Sequence, residues 1–320
     1  MSNTYLGIDI GGTKILSGLV DSKGRVREIM YSQTETQKGK KDLLVRLKEI
    51  IRNYLKKCSQ IKGIGISTGG RVDFDKGKVI YATSLLPNWE GLNLKRLVEK
   101  EFSIPCLVEN DANCALIAEK IFGVGKGHSD IVMFTLGTGL GSAIILKESL
   151  IRGKSGLGGE LGHSIIKDGG RVCNCGKKGC LEAYASGWAV ERKAKRFIGL
   201  HKNSNIFKSA CFKNEKLTMR MIIEMAKKGD EFASELTDEF CHYLAVGIDT
   251  VINGMGVDFF IIGGGIAEGG GNFLLKCIKN ALYEISSFIP YVSPCITLAK
   301  LKNKAGMIGA AMLFCFDKNL

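Results

Sequence analysis

The sequence predicts an α/β protein made of two related lobes. A strand, a glycine-rich turn and a second strand fill residues 4–20, and the same order returns over residues 130–147. A repeat with one copy in each half indicates two related α/β lobes facing each other. A length of 320 residues, 45% of them hydrophobic, allows a core large enough for two domains. We expect a small N-terminal lobe of residues 1–112 plus 303–320, and a larger lobe of residues 113–302.

The first half alternates short apolar runs with amphipathic segments. Apolar runs bounded by glycine or turn residues predict strands. A stripe of leucine and isoleucine in residues 41–57 predicts a helix, and Asn93 and Asn110 stand where helix starts are expected. The expected strands cover residues 4–10, 15–20, 25–32, 61–67 and 104–108, and the expected helices cover residues 41–57, 93–102 and 110–122.

The second half opens with a strand pair and continues mainly as helix. Strands are expected at residues 130–136 and 142–147, on either side of a glycine turn. A later apolar run, residues 257–262, ends in three consecutive glycines. Helices are expected at about residues 180–200, 218–228, 230–253 and 271–287 and from residue 305, with a short strand at residues 296–298.

Composition and charge argue against a nucleic-acid or membrane protein. The formal net charge is +13, but the lysines are spread widely and no aromatic residues alternate with the basic clusters. Solvated helix faces explain this pattern better than a nucleic-acid surface does. The chain has no run of 18 apolar residues and no signal peptide. Most cysteines are scattered singly, as buried thiols are in a reducing compartment. We therefore expect a cytoplasmic protein.

The most specific motif is a cluster of one histidine and three cysteines. His163, Cys173, Cys175 and Cys180 form the ligand set of a closed, tetrahedral structural zinc site. The alternative is a set of unmetallated core cysteines, but the intervening glycines favour a loop. Four protein ligands leave no open position for water, which argues against a zinc-dependent hydrolase. Glutamates stand on both sides of the cluster, so we expect zinc to fix a loop that carries polar substrate ligands.

Three glycine-rich turns are candidates for binding phosphate or nucleotide. Exposed backbone N–H groups of such turns can surround phosphate oxygens, and a strand-end carboxylate such as Asp9 can hold Mg²⁺ directly or through water. The alternatives are an ordinary hairpin turn or a flexible loop. The third turn lies at the carboxyl end of a strand, where α/β sheets bind ligands. The candidate residues are Asp9, Gly11, Gly12, Thr13, Lys14, Thr138, Gly139, Gly264 and Gly265.

Asn110 and Asp111 follow an apolar strand and open a helix. At this position Asp111 could accept the proton of a substrate hydroxyl as its oxygen attacks phosphorus. The alternative is that Asp111 only caps the helix. One motif therefore combines a candidate general base with a common structural role.

These motifs together resemble the ROK family of sugar kinases and sugar-responsive repressors. The matching segments are residues 9–14, 109–113, 136–141, 160–163 and 173–182. The resemblance implies an actin-like, ribonuclease H-type ATPase fold with two lobes around a cleft, and a zinc-held loop. It also implies ATP, Mg²⁺ and structural zinc, phosphorylation of a hexose 6-hydroxyl, and a homodimer or homotetramer. In the family, residues matching Asp111 act as the base, and residues matching Asn110, Glu160, His163 and Glu182 hold sugar hydroxyls.

One segment points to a particular sugar. Residues 67–72 resemble the animal kinase domain that phosphorylates N-acetylmannosamine, with Gly70, Arg71 and Thr83 at sugar-contacting positions. Arg71 could reach an N-acyl carbonyl, which glucose lacks. Its alternative role is a structural salt bridge with Asp73 or Asp75. The resemblance therefore favours N-acetylmannosamine as substrate, with glucose next.

A transcriptional repressor is the remaining alternative. Repressors of the family carry a DNA-binding segment before the kinase-like part. Here the first strand starts near Tyr5, so we expect no room for a helix-turn-helix. The intact Asp111 and phosphate turns also favour catalysis, with a sugar and ATP as the partners.

Overall fold

The computed structural model describes residues 3–82, 86–212, 216–286 and 293–316. The strands are β1 (Thr4–Ile10), β2 (Lys14–Asp21), β3 (Val26–Gln33), β4 (Ile61–Thr68), β5 (Arg71–Asp73), β6 (Lys78–Tyr81), β7 (Cys106–Asn110), β8 (Ile131–Leu136), β9 (Leu140–Leu146), β10 (Ser149–Leu150), β11 (Phe259–Gly263) and β12 (Cys295–Leu298). The helices are α1 (Gly39–Lys57), α2 (Leu94–Phe102), α3 (Asp111–Phe122), α4 (Gly187–Phe197), α5 (Asn205–Phe212), α6 (Met219–Lys227), α7 (Glu231–Met255), α8 (Gly265–Ile285) and α9 (Ala305–Phe316).

Two five-stranded sheets repeat one arrangement. The strand orders are β3-β2-β1-β4-β7 in one sheet and β10-β9-β8-β11-β12 in the other. Each sheet contains an antiparallel hairpin around a glycine turn, and its first strand, β1 or β8, also pairs in parallel with a later strand. The α/β class and the repeated hairpin predicted from the sequence are confirmed.

Two compact units divide the described chain. Unit 1 contains residues 1–127, 150–158 and 303–320, and unit 2 contains residues 128–149 and 159–302. Unit 1 thus continues past residue 112, where the sequence placed a lobe boundary, because α3 packs against α9. It also includes residues 150–158, a segment without a sequence signal for either lobe.

The first sheet of unit 1 carries large apolar side chains on one face and glycines on the other. Leu6, Ile8 and Ile10 of β1 join the apolar core with Ile50 and Ile51 of α1. The opposite face of the sheet carries glycines, which allow α9 to pack backbone against backbone. The carbonyl oxygen of Ala310 lies only 1.8 Å from where a Cβ on Gly65 would stand. The glycine–isoleucine alternation of β4 therefore separates a side-chain core from a close helix contact.

Several elements differ from the sequence prediction. The expected helix at about residue 180 begins at Gly187, after a single 3-10 turn at Leu181–Ala183. Helix α8 begins at Gly265, well before the expected residue 271, and it is kinked at Gly271, which has a non-helical conformation with positive φ. The β5–β6 hairpin and α5 were not predicted. No helix within the described residues combines the length and apolar character needed to cross a bilayer.

Candidate active site

In unit 1, polar side chains meet at the carboxyl ends of three parallel strands. The register aligns Asp9 of β1 with Ser67 of β4, and Ser67 with Glu109 of β7. Ser67 Oγ donates to Asp9 Oδ1 at 2.6 Å. Burial raises the pKa of Asp9, while the Ser67 hydrogen bond and the Lys14 charge partly oppose that rise. A Cβ at Gly306 would lie 2.7 Å from the Asp9 carboxylate. Any residue other than glycine at this position near the start of α9 would therefore clash with the carboxylate.

Asn110, and not Asp111, is the N-cap of α3. Its side-chain oxygen accepts the N–H groups of Ala112 and Asn113 at 2.9 and 3.1 Å. Its Nδ2 donates to the carbonyl oxygen of Gly70 at 2.8 Å, which joins the start of α3 to the loop before β5. The capping role weighed for Asp111 therefore belongs mainly to Asn110.

Asp111 is the first residue of α3 and is exposed. One of its oxygens, Oδ1, accepts the N–H of Ala112 at 2.9 Å. The arrangement thus presents an exposed carboxylate on a rigid element, as a general base requires.

A buried ion pair supports this strand end. Glu109 is 2% exposed, and its Oε2 accepts from Arg152 Nε at 2.6 Å. Its Oε1 accepts from the Asn110 N–H at 2.8 Å and from Asn113 Nδ2 at 3.0 Å. The Arg152 guanidinium also lies 3.8 Å from the centroid of the Phe74 ring. Sequence reasoning missed Arg152, which lies 43 residues along the chain, although a glutamate in an otherwise apolar strand was a usable signal.

Gly70 and Arg71 lie at the start of the β5–β6 hairpin. Gly70 has φ +96°, and a Cβ there would lie 2.2 Å from the carbonyl oxygen of Tyr81. The Arg71 guanidinium lies 5.4 Å from the centroid of the Tyr81 ring, while the Asp73 carboxylate has Lys76 as an ion-pair partner at 3.1 Å. Stacking on Tyr81 thus places Arg71 beside the Gly70 loop that Asn110 holds. The third predicted selector, Thr83, lies outside the described residues.

The first glycine turn joins β1 to β2. Gly11 N–H donates to the carbonyl oxygen of Lys14, and Thr34 donates through its hydroxyl to Gly11 and through its N–H to Thr13. The carbonyl oxygens of Gly11, Thr13 and Lys14 therefore each accept a hydrogen bond. Within the described part of the chain, the N–H groups of Gly12 and Thr13 have no protein acceptor. Together with the exposed Lys14, they form a donor surface suited to phosphate oxygens.

The second glycine turn, in unit 2, joins β8 to β9. Gly137 and Thr138 accept through their carbonyl oxygens from the N–H groups of Gly187 and Trp188, both at 3.0 Å. These donors belong to the start of α4. Thr138 is exposed, and among the described residues nothing accepts from the N–H of Thr138 or Gly139. This turn is a second donor surface.

Gly264 and Gly265 stand at the start of α8. Gly264 has φ +89°, and a Cβ there would lie 2.4 Å from the carbonyl oxygen of Leu136. A Cβ at Gly265 would meet nothing within 4 Å. Gly265 lines an open pocket with Gly137 and Thr138 of the second turn and with residues of α4, α6 and α8, namely Gly187, Glu191, Thr218, Met219, Arg220, Ile266 and Gly269. Two of the three predicted nucleotide segments therefore border one pocket of unit 2.

The four predicted zinc ligands converge. Their ligand atoms all lie within 4.8 Å of one another. Cys173 Sγ is 3.8 Å from His163 Nδ1, and Cys175 Sγ is 3.7 Å from Cys180 Sγ. A tetrahedral zinc ion about 2.3 Å from each sulfur holds its ligands roughly 3.8 Å apart, so the donor set fits zinc. Because Nδ1 of His163 faces the cluster, the Nε2 atom is not needed as a zinc ligand.

The two glutamates beside the cluster have different surroundings. Glu160 is half-buried and precedes the 3-10 turn Leu161–His163. Glu182 accepts from the Leu140 N–H at 3.0 Å and from Trp188 Nε1 at 3.3 Å. Glu182 thus ties the cysteine loop to the second glycine turn, a link for which the sequence carried no signal.

The chain is similar to known proteins over nearly its whole length. The family model described as "ROK family" matches residues 5–316. A glucokinase of Thermotoga maritima is 32% identical over 310 residues, which cover 96% of each chain. A xylose repressor of Caldicellulosiruptor bescii is 30% identical, over 98% of this chain and 78% of the repressor. The crystal structure of a ROK family glucokinase from Streptomyces griseus, in complex with glucose and AMPPNP, superposes with a TM-score of 0.81 at 31% identity, covering 97% of this chain and 99% of that one.

Proposed function

This chain belongs to the ROK family, and on that premise we propose that it transfers the γ-phosphoryl group of ATP to the 6-hydroxyl of a hexose or N-acylhexosamine. The observation that carries the proposal is the exposed Asp111 carboxylate at the aligned ends of β1, β4 and β7. Because Asn110 caps α3, the helix does not need Asp111 for its cap. A sugar kinase does need a carboxylate in this position as general base.

The residues of unit 1 are assigned to the reacting hydroxyl. Asp111 accepts the hydroxyl proton as the oxygen attacks the γ-phosphorus and the bond to the ADP leaving group breaks. The carboxyl group then loses this proton to solvent after the products leave. The Asn110 amide has one N–H left after bonding Gly70, so it acts toward the sugar as a donor. Asp9 is the carboxylate that would hold Mg²⁺, which when bound neutralises charge on the phosphate oxygens.

The residues of unit 2 are assigned to nucleotide and sugar binding. The N–H groups of Thr138 and Gly139 donate to phosphate oxygens, and the pocket beside Gly264 and Gly265 accepts the adenosine part. His163 donates from Nε2 to a sugar hydroxyl, while Glu160 and Glu182 accept from others. Zinc, when bound, supplies no chemistry beyond holding His163 and its loop in place.

For the substrate, N-acetylmannosamine comes first and glucose is the alternative. The support for N-acetylmannosamine is Arg71, whose guanidinium beside the Gly70 loop offers donors for an acyl carbonyl. The support for glucose is the similarity to glucokinases over nearly the whole chain. A cytoplasmic location and a homodimer or homotetramer stay predictions.

The test is one panel of ADP-release assays with Mg²⁺ and ATP. It compares glucose, mannose, fructose, N-acetylglucosamine and N-acetylmannosamine, with a reaction lacking sugar as control. We expect the highest kcat/KM for N-acetylmannosamine. A kcat/KM for glucose far above the others would replace our substrate by the alternative. ADP release with none of them, together with sequence-specific duplex binding in a gel-shift assay, would favour a repressor.

A further inference from the structure

Unit 2 contains a basic pocket outside the candidate active site. Trp188, Ala189 and Arg192 of α4 line one wall, and Arg171 and Val172, just before the first cysteine ligand, line another. The remaining lining residues are Ala183, Lys193, Arg196 and Phe197. None of these residues belongs to the phosphate turns or the predicted sugar ligands. We refer to this set as the basic pocket.

Two of its four cationic side chains have acidic partners. Arg171 and Lys193 bond Glu239 at 2.7 and 2.9 Å, and Lys193 also reaches Glu235 at 3.4 Å. Burial raises the pKa of Glu239, but the bonds from Lys193 and Arg171 outweigh this and lower it. Glu239 is therefore ionised at neutral pH and offsets part of the positive charge.

The other two cationic side chains, Arg192 and Arg196, lack such acidic partners among the described residues. Both are exposed, and no carboxylate of the described residues lies within 4 Å of either guanidinium. They stand four residues apart on α4 and so are neighbours on one face of the helix. Like charges at this spacing oppose helix formation. An anion between them would remove that repulsion.

Each of these two guanidinium groups lies beside an aromatic ring. Arg192 lies 5.7 Å from the Trp188 ring centroid, and Arg196 lies 5.3 Å from that of Phe197. The indole is itself fixed, because its Nε1 donates to Glu182. Stacking on a ring leaves the N–H donors of a guanidinium free to bind an anion.

We propose that the basic pocket binds a small phosphorylated molecule through its phosphate group. Two guanidinium forks on successive helical turns can donate to several phosphate oxygens at once. The apolar wall of Val172, Ala183 and Phe197 would contact the rest of the molecule. This site is separate from the phosphoryl-transfer site and does not depend on the proposed kinase reaction.

The experiment measures binding to the full-length chain by calorimetry and tryptophan fluorescence. The probes are inorganic phosphate and glucose 6-phosphate, and succinate at equal ionic strength tests for carboxylates. The two tryptophans are Trp188, in the pocket, and Trp89, which is buried and donates to Thr68. A Trp89→Phe background assigns any fluorescence change to Trp188. We expect saturable binding of glucose 6-phosphate with a change in Trp188 emission.

Substitutions separate the pocket from general charge effects. Since a charged hydrogen bond contributes about 1.5–3 kcal/mol, Arg192→Ala and Arg196→Ala should each weaken binding roughly tenfold or more. Lys195→Ala removes one charge from an exposed position of the same helix outside the pocket and should have little effect. Absence of saturable binding in calorimetry, equal losses in all three variants, binding that both arginine variants retain, or equal affinity for succinate would each overturn the proposal.

Discussion

Unit 1 positions its functional side chains through sheet register, whereas unit 2 positions them on loops. Asp9 and Ser67 occupy matched positions on the parallel strands β1 and β4. Asn110 is the last residue of the third parallel strand, β7. His163 and Glu160 instead lie on irregular chain beside the cysteine cluster. Backbone ladders set the first group without any ligand. The second group lies beside four residues that could hold a metal ion, so substitutions of single residues should affect the two units differently.

The two glycine turns show the same contrast on a smaller scale. Thr34, from the chain after β3, donates hydrogen bonds to two carbonyl oxygens of the first turn, those of Gly11 and Thr13. The start of α4 and Glu182 bond the second turn, which links that turn to the cysteine loop. Both arrangements leave N–H groups of the turn without an acceptor among the described residues. Of the two turns, the second is the one that bonds to the loop carrying the candidate zinc ligands.

The largest effect is expected at Asp111. Asp111→Asn keeps the size of the side chain but removes the base, so kcat should fall by roughly 10²–10⁴-fold while sugar affinity changes little. Steady-state kinetics with direct binding measurements checks this. Glu231→Gln, at the first residue of α7, is the matched control and should keep full activity. Near-normal turnover of the Asp111 variant would show that another group is the base.

Loss of zinc should affect the two units unequally. Cys173→Ser removes one ligand, so zinc content should fall from about one ion per chain and sugar affinity should drop at least tenfold, since His163 loses its support. ATP affinity should change less. Metal analysis with separate sugar and nucleotide titrations checks this, and Cys295→Ser, at an exposed cysteine, is the control. Normal sugar affinity in the zinc-free variant would restrict the cluster to a structural role.

Substitutions at two adjacent glycines should distinguish effects on stability from effects on nucleotide binding. Gly264→Ala places a Cβ against Leu136 at positive φ and should destabilise unit 2 by about 1–3 kcal/mol. Gly265→Ala adds a methyl group in open space, so stability should hold while KM for ATP rises severalfold. Thermal unfolding and ATP kinetics of both variants check the pair. An unchanged KM in the Gly265 variant would remove this pocket from the nucleotide site.

The smallest effect concerns the stability of the protein without Mg²⁺ or nucleotide. Burial raises the pKa of Asp9, so the folded state binds the carboxyl proton more tightly than the unfolded state does. The stability from this group is present at low pH and is lost as pH rises through the raised pKa. Asp9→Asn should therefore raise the melting temperature slightly at neutral pH but not in acid, while activity is lost. Unfolding curves across pH check the sign, and a lower melting temperature at neutral pH would contradict it.

Local sequence patterns predicted most of the helices and strands. The features that were not predicted depend mainly on contacts between residues far apart in the sequence. The hairpins around the glycine turns and the Asn93 and Asn110 helix starts were readable because neighbouring residues determine them. The predicted start of α8 at residue 271 coincides with the kink at Gly271, six residues after the helix begins at Gly265. The cysteine spacing predicted that His163, Cys173, Cys175 and Cys180 lie together, and this is confirmed. The roles of Asp111 and the sugar ligands stay predictions.

The links around these residues were not predictable. The Glu109–Arg152 pair joins two segments far apart in the chain, and Glu182 bonds a turn 42 residues earlier. Contacts of this kind leave no periodic pattern in the sequence from which they could be predicted. Arg71 illustrates the same limit, since the sequence offered Asp73 or Asp75 as partners and the structure adds the Tyr81 ring.

The placement of α9 has a consequence for how the protein is made. This helix covers the glycine face of β1 and β4, and its Gly306 adjoins the Asp9 carboxylate. About three hundred residues, including all of unit 2, leave the ribosome between β1 and α9. Unit 2 can thus complete its core during synthesis, whereas the first sheet waits with one face uncovered. The nascent chain is therefore most exposed to aggregation and to chaperones through its N-terminal strands, until translation reaches α9.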